Sequence, residues 1–423
     1  MNMVTVGVLG TSWRAGVTPW GALEQWDGLG TLDWFVAADD RWYRPAGEAT
    51  IRQTTVDGTP VVETRMRIPK GDAVQRVYAV PDHGGLTIIE IENDSPLPIA
   101  VAFTGTPVLS VRQPTTVPIE GIELGADAVS FPVGHHATVV VAIAHEPGVL
   151  TALPATVPTA TQVARGWLAT VERASRLVLP DAAVAAAVVR ERCELLLGGP
   201  ADPADDAVEF LLGVGELVRM GMPAQPWVDE VADAVAALVG HSHDPHLVAA
   251  LDAAERVCRA AGEDRAARDL ERLRDRVPRG AQRTNESPAA SGARVVAEAE
   301  AIIAAGPDLF PSGLPDTWLG QQLEVYNVPT GATSAVSFAV RWHGERPAVL
   351  WECTGTSVAL RSSVLAPNWS SDAPTGDALW PAQAIPAGMA AASNLSIGNL
   401  STGDLSGSDL SAGDLSGGDI SFG

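Results

Sequence analysis

Five tryptophans crowd the stretch from Thr11 to Tyr43, TSWRAGVTPWGALEQWDGLGTLDWFVAADDRWY: Trp13, Trp20, Trp26, Trp34 and Trp42, of twelve in the chain. Glu24, Asp27, Asp33, Asp39 and Asp40 lie between them, with Arg14 and Arg41 as the cations. Indole rings stack on the apolar faces of sugars and carboxylates accept from sugar hydroxyls, so this pattern suits saccharide recognition. The same tryptophans also suit the core of a β-domain with acids in its turns. Hydrolysis of a glycosidic bond asks for two carboxyl groups, one of them with a raised pKa. Acids in aromatic company are Glu24 and Asp27 around Trp26, Asp33 beside Trp34, Asp316 near Trp318, and Glu352 beside Trp351. Glu352 ends an apolar run and is expected to be partly buried, or else to be an edge-strand acid paired with Arg341 or Arg361. The sugar-contact candidates are Trp13, Trp20, Trp26, Asp27, Asp33, Trp34, Trp318 and Glu352; no catalytic pair is assigned.

His241, His243 and His246 form the histidine cluster of the chain. Three imidazoles at this spacing could hold zinc or nickel. They also stand where a loop precedes a helix, with Asp244 and Pro245 suited to its N-cap and first position; no metal or cofactor is assigned. His135 and His136 adjoin a strand, where neighbouring side chains point to opposite faces. Nucleotide-binding glycine motifs and a G-x-S-x-G elbow are absent from the sequence.

The elements that would position these residues follow from composition and periodicity. With 423 residues, 46% hydrophobic and 19% charged, the chain can bury two or three cores. A formal charge of −23 argues against nucleic acid or an anionic membrane as partner. Cys193, Cys258 and Cys353 are odd in number and widely spaced, which suggests reduced thiols and a cytoplasmic location. The N-terminus lacks the basic and apolar regions of a signal peptide, and no apolar run is long enough to span a membrane.

Residues 1–157 predict an antiparallel β-sandwich. Val61–Ile68, Val77–Val80, Leu86–Ile91, Ile99–Phe103 and Thr138–Ala144 read as strands, separated by turn signals such as Asp57-Gly58 and His83-Gly84-Gly85. Residues 158–306 are Ala-rich with helical periodicity and predict seven helices joined as α-hairpins. Their starts are marked at about Ala160, after Asp181, after Asp205 or Asp206, near Val228, at Asp244-Pro245, after Asp264 and near Ala293; 278–292 reads as a linker. Residues 307–385 predict a small β region. Val336–Trp342 and Ala348–Glu352 form a hairpin with a longer loop, Val358–Arg361 is a third strand, and 367–381 is loop. Residues 386–423 carry a period-five repeat, SNLSI-GNLST-GDLSG-SDLSA-GDLSG-GDISF, with Leu395, Leu400, Leu405, Leu410, Leu415 and Ile420 in register.

The strand runs from Val61 to Val80, the segment Glu90-Ile91-Glu92-Asn93-Asp94-Ser95-Pro96-Leu97-Pro98, and the helical stretches from Trp167 to Asp181 and Glu209 to Gly221 resemble the six-hairpin glycosidases. That group, the glucoamylase and glycogen-debranching-like enzymes, sets a β-sandwich before an α/α toroid. The resemblance implies a multidomain chain with an incomplete toroid, since seven helices are fewer than the twelve such a ring contains. Binding of an α-glucan or oligosaccharide is then expected in preference to hydrolysis. The tract from Gly306 to Gly331 is similar to bacterial proteins of the same layout, from which no activity carries over. The repeats resemble the pentapeptide-repeat family, in which the central Leu points inward; a flexible low-complexity tail is the other reading. Leu395-Ser396-Ile397-Gly398-Asn399-Leu400 also resembles the cargo-loading tails of encapsulin shells. The alternative function is therefore a non-enzymatic interaction protein that docks a partner or a shell compartment through residues 392–423.

Overall fold

The computed structural model describes residues 3–26, 28, 30–39, 41–115, 120–146, 148, 150–238, 244–277 and 291–384. Asp27, His241, His243 and the repeats lie outside the described residues. Alternation of side chains builds the first part. The strands are β1 (Val4–Gly7), β2 (Arg14–Val17), β3 (Leu23–Gln25), β4 (Thr31–Ala37), β5 (Trp42–Tyr43), β6 (Arg52–Thr55), β7 (Val62–Ile68) and β8 (Gly71–Val80). They continue with β9 (Leu86–Asp94), β10 (Ile99–Gly105), β11 (Leu109–Ser110), β12 (Val129–Val133) and β13 (Thr138–Ala144). One sheet runs β1-β2-β3-β4-β10-β12 with β5 on β4, the other β11-β13-β9-β8-β7-β6, and the pairings are antiparallel. Leu32, Trp34 and Val36 face inward from β4, while Met66 and Ile68 do so from β7, so the two sheets share one hydrophobic core. Trp34 stands opposite Phe103 in the β4–β10 register, and Phe103 meets Phe131 edge-on at 6.2 Å. At the end of β9 the buried Asn93 donates to the carbonyls of Leu97 (2.7 Å) and Gly134 (3.0 Å), and its Oδ1 accepts from Ser95 (2.7 Å). The Asn-x-Ser-Pro turn thereby satisfies its buried polar groups.

His145 closes this region. Its ring stacks on Trp13 at 3.8 Å, and its Nε2 lies 3.0 Å from the Thr87 hydroxyl. Burial, and then the charge of Arg14, lower its pKa from 6.5 to about 4. The unfolded chain therefore takes up a proton before the folded chain does. This contribution to stability is whole above pH 6.5 and is lost as pH falls toward 4. Urea unfolding of the wild-type chain is expected to shift to lower midpoint between pH 7 and pH 5, with a flatter dependence in His145→Gln. Equal slopes in the two proteins would refute the assignment.

The helices follow their caps. Thr159 and Gln162 form a capping box before α1 (Ala160–Val171), Asp181 caps α2 (Ala182–Gly198), and Asp206 caps α3 (Ala207–Arg219). They continue with α4 (Val228–Leu238), α5 (Leu247–Ala260), α6 (Asp264–Arg274) and α7 (Ala293–Ile303). The expected Asp244-Pro245 start of α5 is corrected: the helix begins at Leu247 with His246 at the N-cap. The Asp244 carboxylate instead accepts from the His246 N–H (2.8 Å) and from Arg294, which holds it outside the first turn. Apolar faces of α3, α4, α5 and α6 make a second core. Arg14 ties the first part to this one by donating to the Leu197 carbonyl in the last turn of α2 (2.8 Å). None of the described helices is long and apolar enough to cross a membrane.

The last part holds β14 (Arg176–Val178), β15 (Ala304–Ala305), β16 (Asp308–Leu309), β17 (Leu323–Pro329), β18 (Ser334–His343), β19 (Arg346–Gly355), β20 (Leu360–Ser362), β21 (Ala366–Ser371) and β22 (Thr375–Leu379). One sheet runs β14-β17-β18-β19-β22 and a smaller one β15-β16-β20-β21. Two expectations are corrected here. The β18–β19 connection is a two-residue turn, Gly344-Glu345, made possible by φ +62° at Gly344. The 367–381 stretch is mostly strand: Thr375–Leu379 pairs with β19, and Trp369 packs 5.2 Å from both Trp351 and Trp380. Long-range pairing and burial of indole override its turn-rich composition.

Candidate functional site

The charged residue types that α3 carries at its end are unusual for a helix buried almost throughout. Glu216 and Arg219 sit one turn apart there, and Arg192 on α2 and Glu300 on α7 converge on them. Arg192, with a side chain 1% exposed, donates to Glu216 (2.9 Å), Glu300 (3.0 Å) and both the carbonyl and hydroxyl of Ser175 (2.8 Å each). Arg219, 7% exposed, pairs with Glu216 and holds both oxygens of Glu300 at 3.0 and 2.9 Å. It also donates to the carbonyls of Ala174 (2.9 Å) and Asn327 (3.3 Å). Asn327 takes φ +56° at a bulge in β17, and its amide donates to the Ala174 carbonyl (2.9 Å). The cluster therefore joins three helices to the last sheet. Burial alone would raise the Glu216 carboxyl, but Arg219 and Arg192 hold it well below the ordinary glutamate range. Against the same desolvation, Glu216 and Glu300 raise the Arg219 guanidinium.

Arg256 on α5 completes the group and differs from the other two arginines. A Cβ at Gly215 would meet that of Ala253 at 2.5 Å, so the glycine lets α5 lie against α3 and brings Arg256 to the cluster. One turn earlier Asp252 would be its natural partner, yet that carboxylate is held by Arg274 at 2.7 Å. Among the described residues Arg256 has no ion-pair partner; it donates to the Gly331 carbonyl at 3.3 Å. Desolvation, and then repulsion from Arg219, lower its pKa against the opposing charges of Glu216, Asp252 and Glu300. Arg219 and Arg256 together form the floor of a cleft of about 290 Å³ whose walls are the β17–β18 turn from Gly331 to Ala335, Asn327, and Thr354 and Gly355 of β19. A guanidinium that makes no direct ion pair and lines a cleft keeps N–H groups with which to receive an anion.

The described sugar-contact candidates do not gather at one site. Trp34 is 2% exposed, in the core, with its N–H donated to the Trp20 carbonyl (2.9 Å). Trp318 is buried in the last part, Trp13 is half-buried under His145, and Trp20 is half-buried. Glu352 is exposed, correcting the expectation of partial burial: it lies on the outward side of β19, opposite Ser337 and Thr375. Its suggested partners pair elsewhere, Arg341 with Glu324 and Arg361 with Asp308. What does come together is Glu24 and Asp33, on the outward side of the β3–β4 pair, with Trp26, 57% exposed, just beyond β3. Burial, and then the charge of Glu24, raise the Asp33 carboxyl. His246 reaches Glu298 at 3.5 Å.

No family model, curated protein or solved structure matches the chain. The functional reading therefore rests on the two places just described. The arginine cluster left a trace in the sequence, Glu216 and Arg219 ending an apolar helix that also carries Gly213 and Gly215. Its other members are separated by up to 108 residues, and periodicity alone has no means of joining them.

Proposed function

We propose that the protein binds a small ligand bearing an anionic group, held in the cleft between α3, α5 and the β17–β18 turn. The observation that carries this reading is Arg256, which lines the cleft and among the described residues has no carboxylate within ion-pair distance. In a chain of net charge −23, a local positive site favours one anion in one place over general anion adsorption. The hydroxyls of Thr333, Ser334 and Thr354 around the cleft suit a hydroxylated body, such as a sugar acid or sugar phosphate. Two sheets around one core, followed by serial helices, support the β-sandwich and incomplete α-hairpin array of a glycosidase-like scaffold.

Calorimetric titration with glucuronate, glucose 6-phosphate, glucose and maltotriose tests the proposal. The two anions are expected to bind and the neutral sugars not to bind at this cleft. Arg256→Gln should weaken anion binding by roughly 10- to 100-fold, the worth of a charge-assisted hydrogen bond. Folded protein that gives no heat with either anion at millimolar concentration would end the proposal. A second reading, contact with a neutral oligosaccharide or α-glucan, is favoured by the exposed Trp26 beside Glu24 and Asp33. It predicts maltotriose binding that is lost in Trp26→Ala and unchanged in Arg256→Gln. The register of the repeats at 392–423 supports a protein contact there, as a further proposal.

A further inference from the structure

Taking the anion-binding reading above as its basis, we infer that the ligand is elongated: its anionic group sits at one end, in the cleft, and an uncharged oligosaccharide body lies across the outward face of the last sheet. The cleft holds about 290 Å³, at the small end of ligand sites, so a longer molecule has to leave it. Strand register supplies the way out. Pro329, Ala335 and Thr354 stand side by side across β17, β18 and β19, and all of them line the cleft. Side chains two residues further along a strand share a face. Ser337 and Ala339 of β18 therefore continue that face, opposite Glu352 and Leu350 of β19. Val336, Phe338 and Val340 point the other way, into the core of the last part. From Ala335 to Ala339 the face runs about 13 Å along the strand.

Shape and charge define what this face takes. β18 is the middle strand, and Ala335, Ser337 and Ala339 give it a low outward surface. Glu324 and Tyr326 of β17 rise on one side, Leu350 and Glu352 of β19 on the other. The strand is thus the bed of a trough that ends at the cleft. Tyr326 is 41% and Leu350 50% exposed, so both walls are open to solvent. The trough also carries acids. Arg341 is matched by Glu324, whereas among the described residues Glu352, and Asp377 across from Leu350, make no ion pair. Such carboxylates accept from hydroxyl donors and repel a further anionic group. Polar Ser337 and Thr354 beside apolar Ala339 and Leu350 suit the hydroxyl and C–H surfaces of sugar rings. A ligand anionic at one end and neutral along its length fits both the cleft and the trough.

Calorimetry on the full chain tests this with gluconate, with maltotrionate, in which glucosyl units extend the same acid, and with galacturonate and trigalacturonate, in which every unit is an acid. Maltotrionate is expected to bind about tenfold tighter than gluconate, the worth of one or two further hydrogen bonds. Trigalacturonate should show no such gain over galacturonate. Ala339→Trp fills the bed of the trough away from the cleft; it should remove the gain and leave gluconate binding unchanged, which also shows that the variant is folded. Leu350→Ala takes away one wall at an exposed position and should reduce the gain in the same way, while Trp26→Ala should leave it intact. Four results would overturn the elongated ligand and leave the anion-binding reading standing: equal affinity for gluconate and maltotrionate, a gain that survives both trough variants, a gain lost in Trp26→Ala, or an equal gain for trigalacturonate. Binding of none of the acids would overturn both.

Discussion

Arg192→Met is expected to destabilise the protein by about 3–5 kcal/mol, the usual cost of removing one partner from a buried ion cluster. The reason is what remains behind. Glu216 loses its 2.9 Å donor and Glu300 its 3.0 Å donor, and the Ser175 carbonyl is left without the guanidinium that covers it. Methionine fills much of the volume and supplies none of those bonds. The neighbouring Arg190 gives a control: it is exposed, pairs with Glu191 beside it, and Arg190→Met should change stability by less than about 0.5 kcal/mol. Urea unfolding of the two variants measures both. A loss below about 1 kcal/mol for Arg192→Met would mean that Arg219 alone satisfies the two carboxylates. The cluster also fixes the direction of acid sensitivity. Because the Glu216 carboxyl is lowered in the folded state, its stabilisation is present above the ordinary glutamate pKa. It is lost as pH falls below that value toward the folded one.

Trp34→Ala should cost about 3–5 kcal/mol, through lost burial and the cavity left in the shared core of the two sheets. Its indole packs beside Phe103 across the β4–β10 register, and its N–H is bonded to the Trp20 carbonyl. Truncation would leave that carbonyl without its donor as well. Trp26→Ala, by contrast, removes an exposed ring and should alter stability by no more than about 0.5 kcal/mol. The pair of measurements separates the two meanings of the tryptophan-rich stretch, since Trp34 belongs to the core and Trp26 is its most exposed ring. Similar losses for both variants would show that Trp26 carries structure too.

The sequence by itself determined what local chemistry controls. Alternation placed the strand at 61–68, and short apolar runs bounded by turn residues placed those at 86–91, 99–103 and 138–144, where the burial is continuous over three or four residues. Asp181 and the Asp205-Asp206 pair marked helix starts because a side-chain oxygen must satisfy the first free N–H groups, while the Thr159 cap and the choice of Asp206 came from the structure. Where neighbours in space decide, the same reasoning stopped. Asp244 looked like a cap and was taken by Arg294, and 367–381 looked like loop and was drawn into strands around Trp369 and Trp380. The tryptophans near the N-terminus were legible as a group, but which ring faces solvent depends on strand pairing, which put Trp34 inside and left Trp26 out. The cleft belonged wholly to tertiary structure. Whether an arginine is paired depends on every carboxylate within a few ångströms, and those of Arg256 are supplied, or withheld, by α3, α5, α6 and α7.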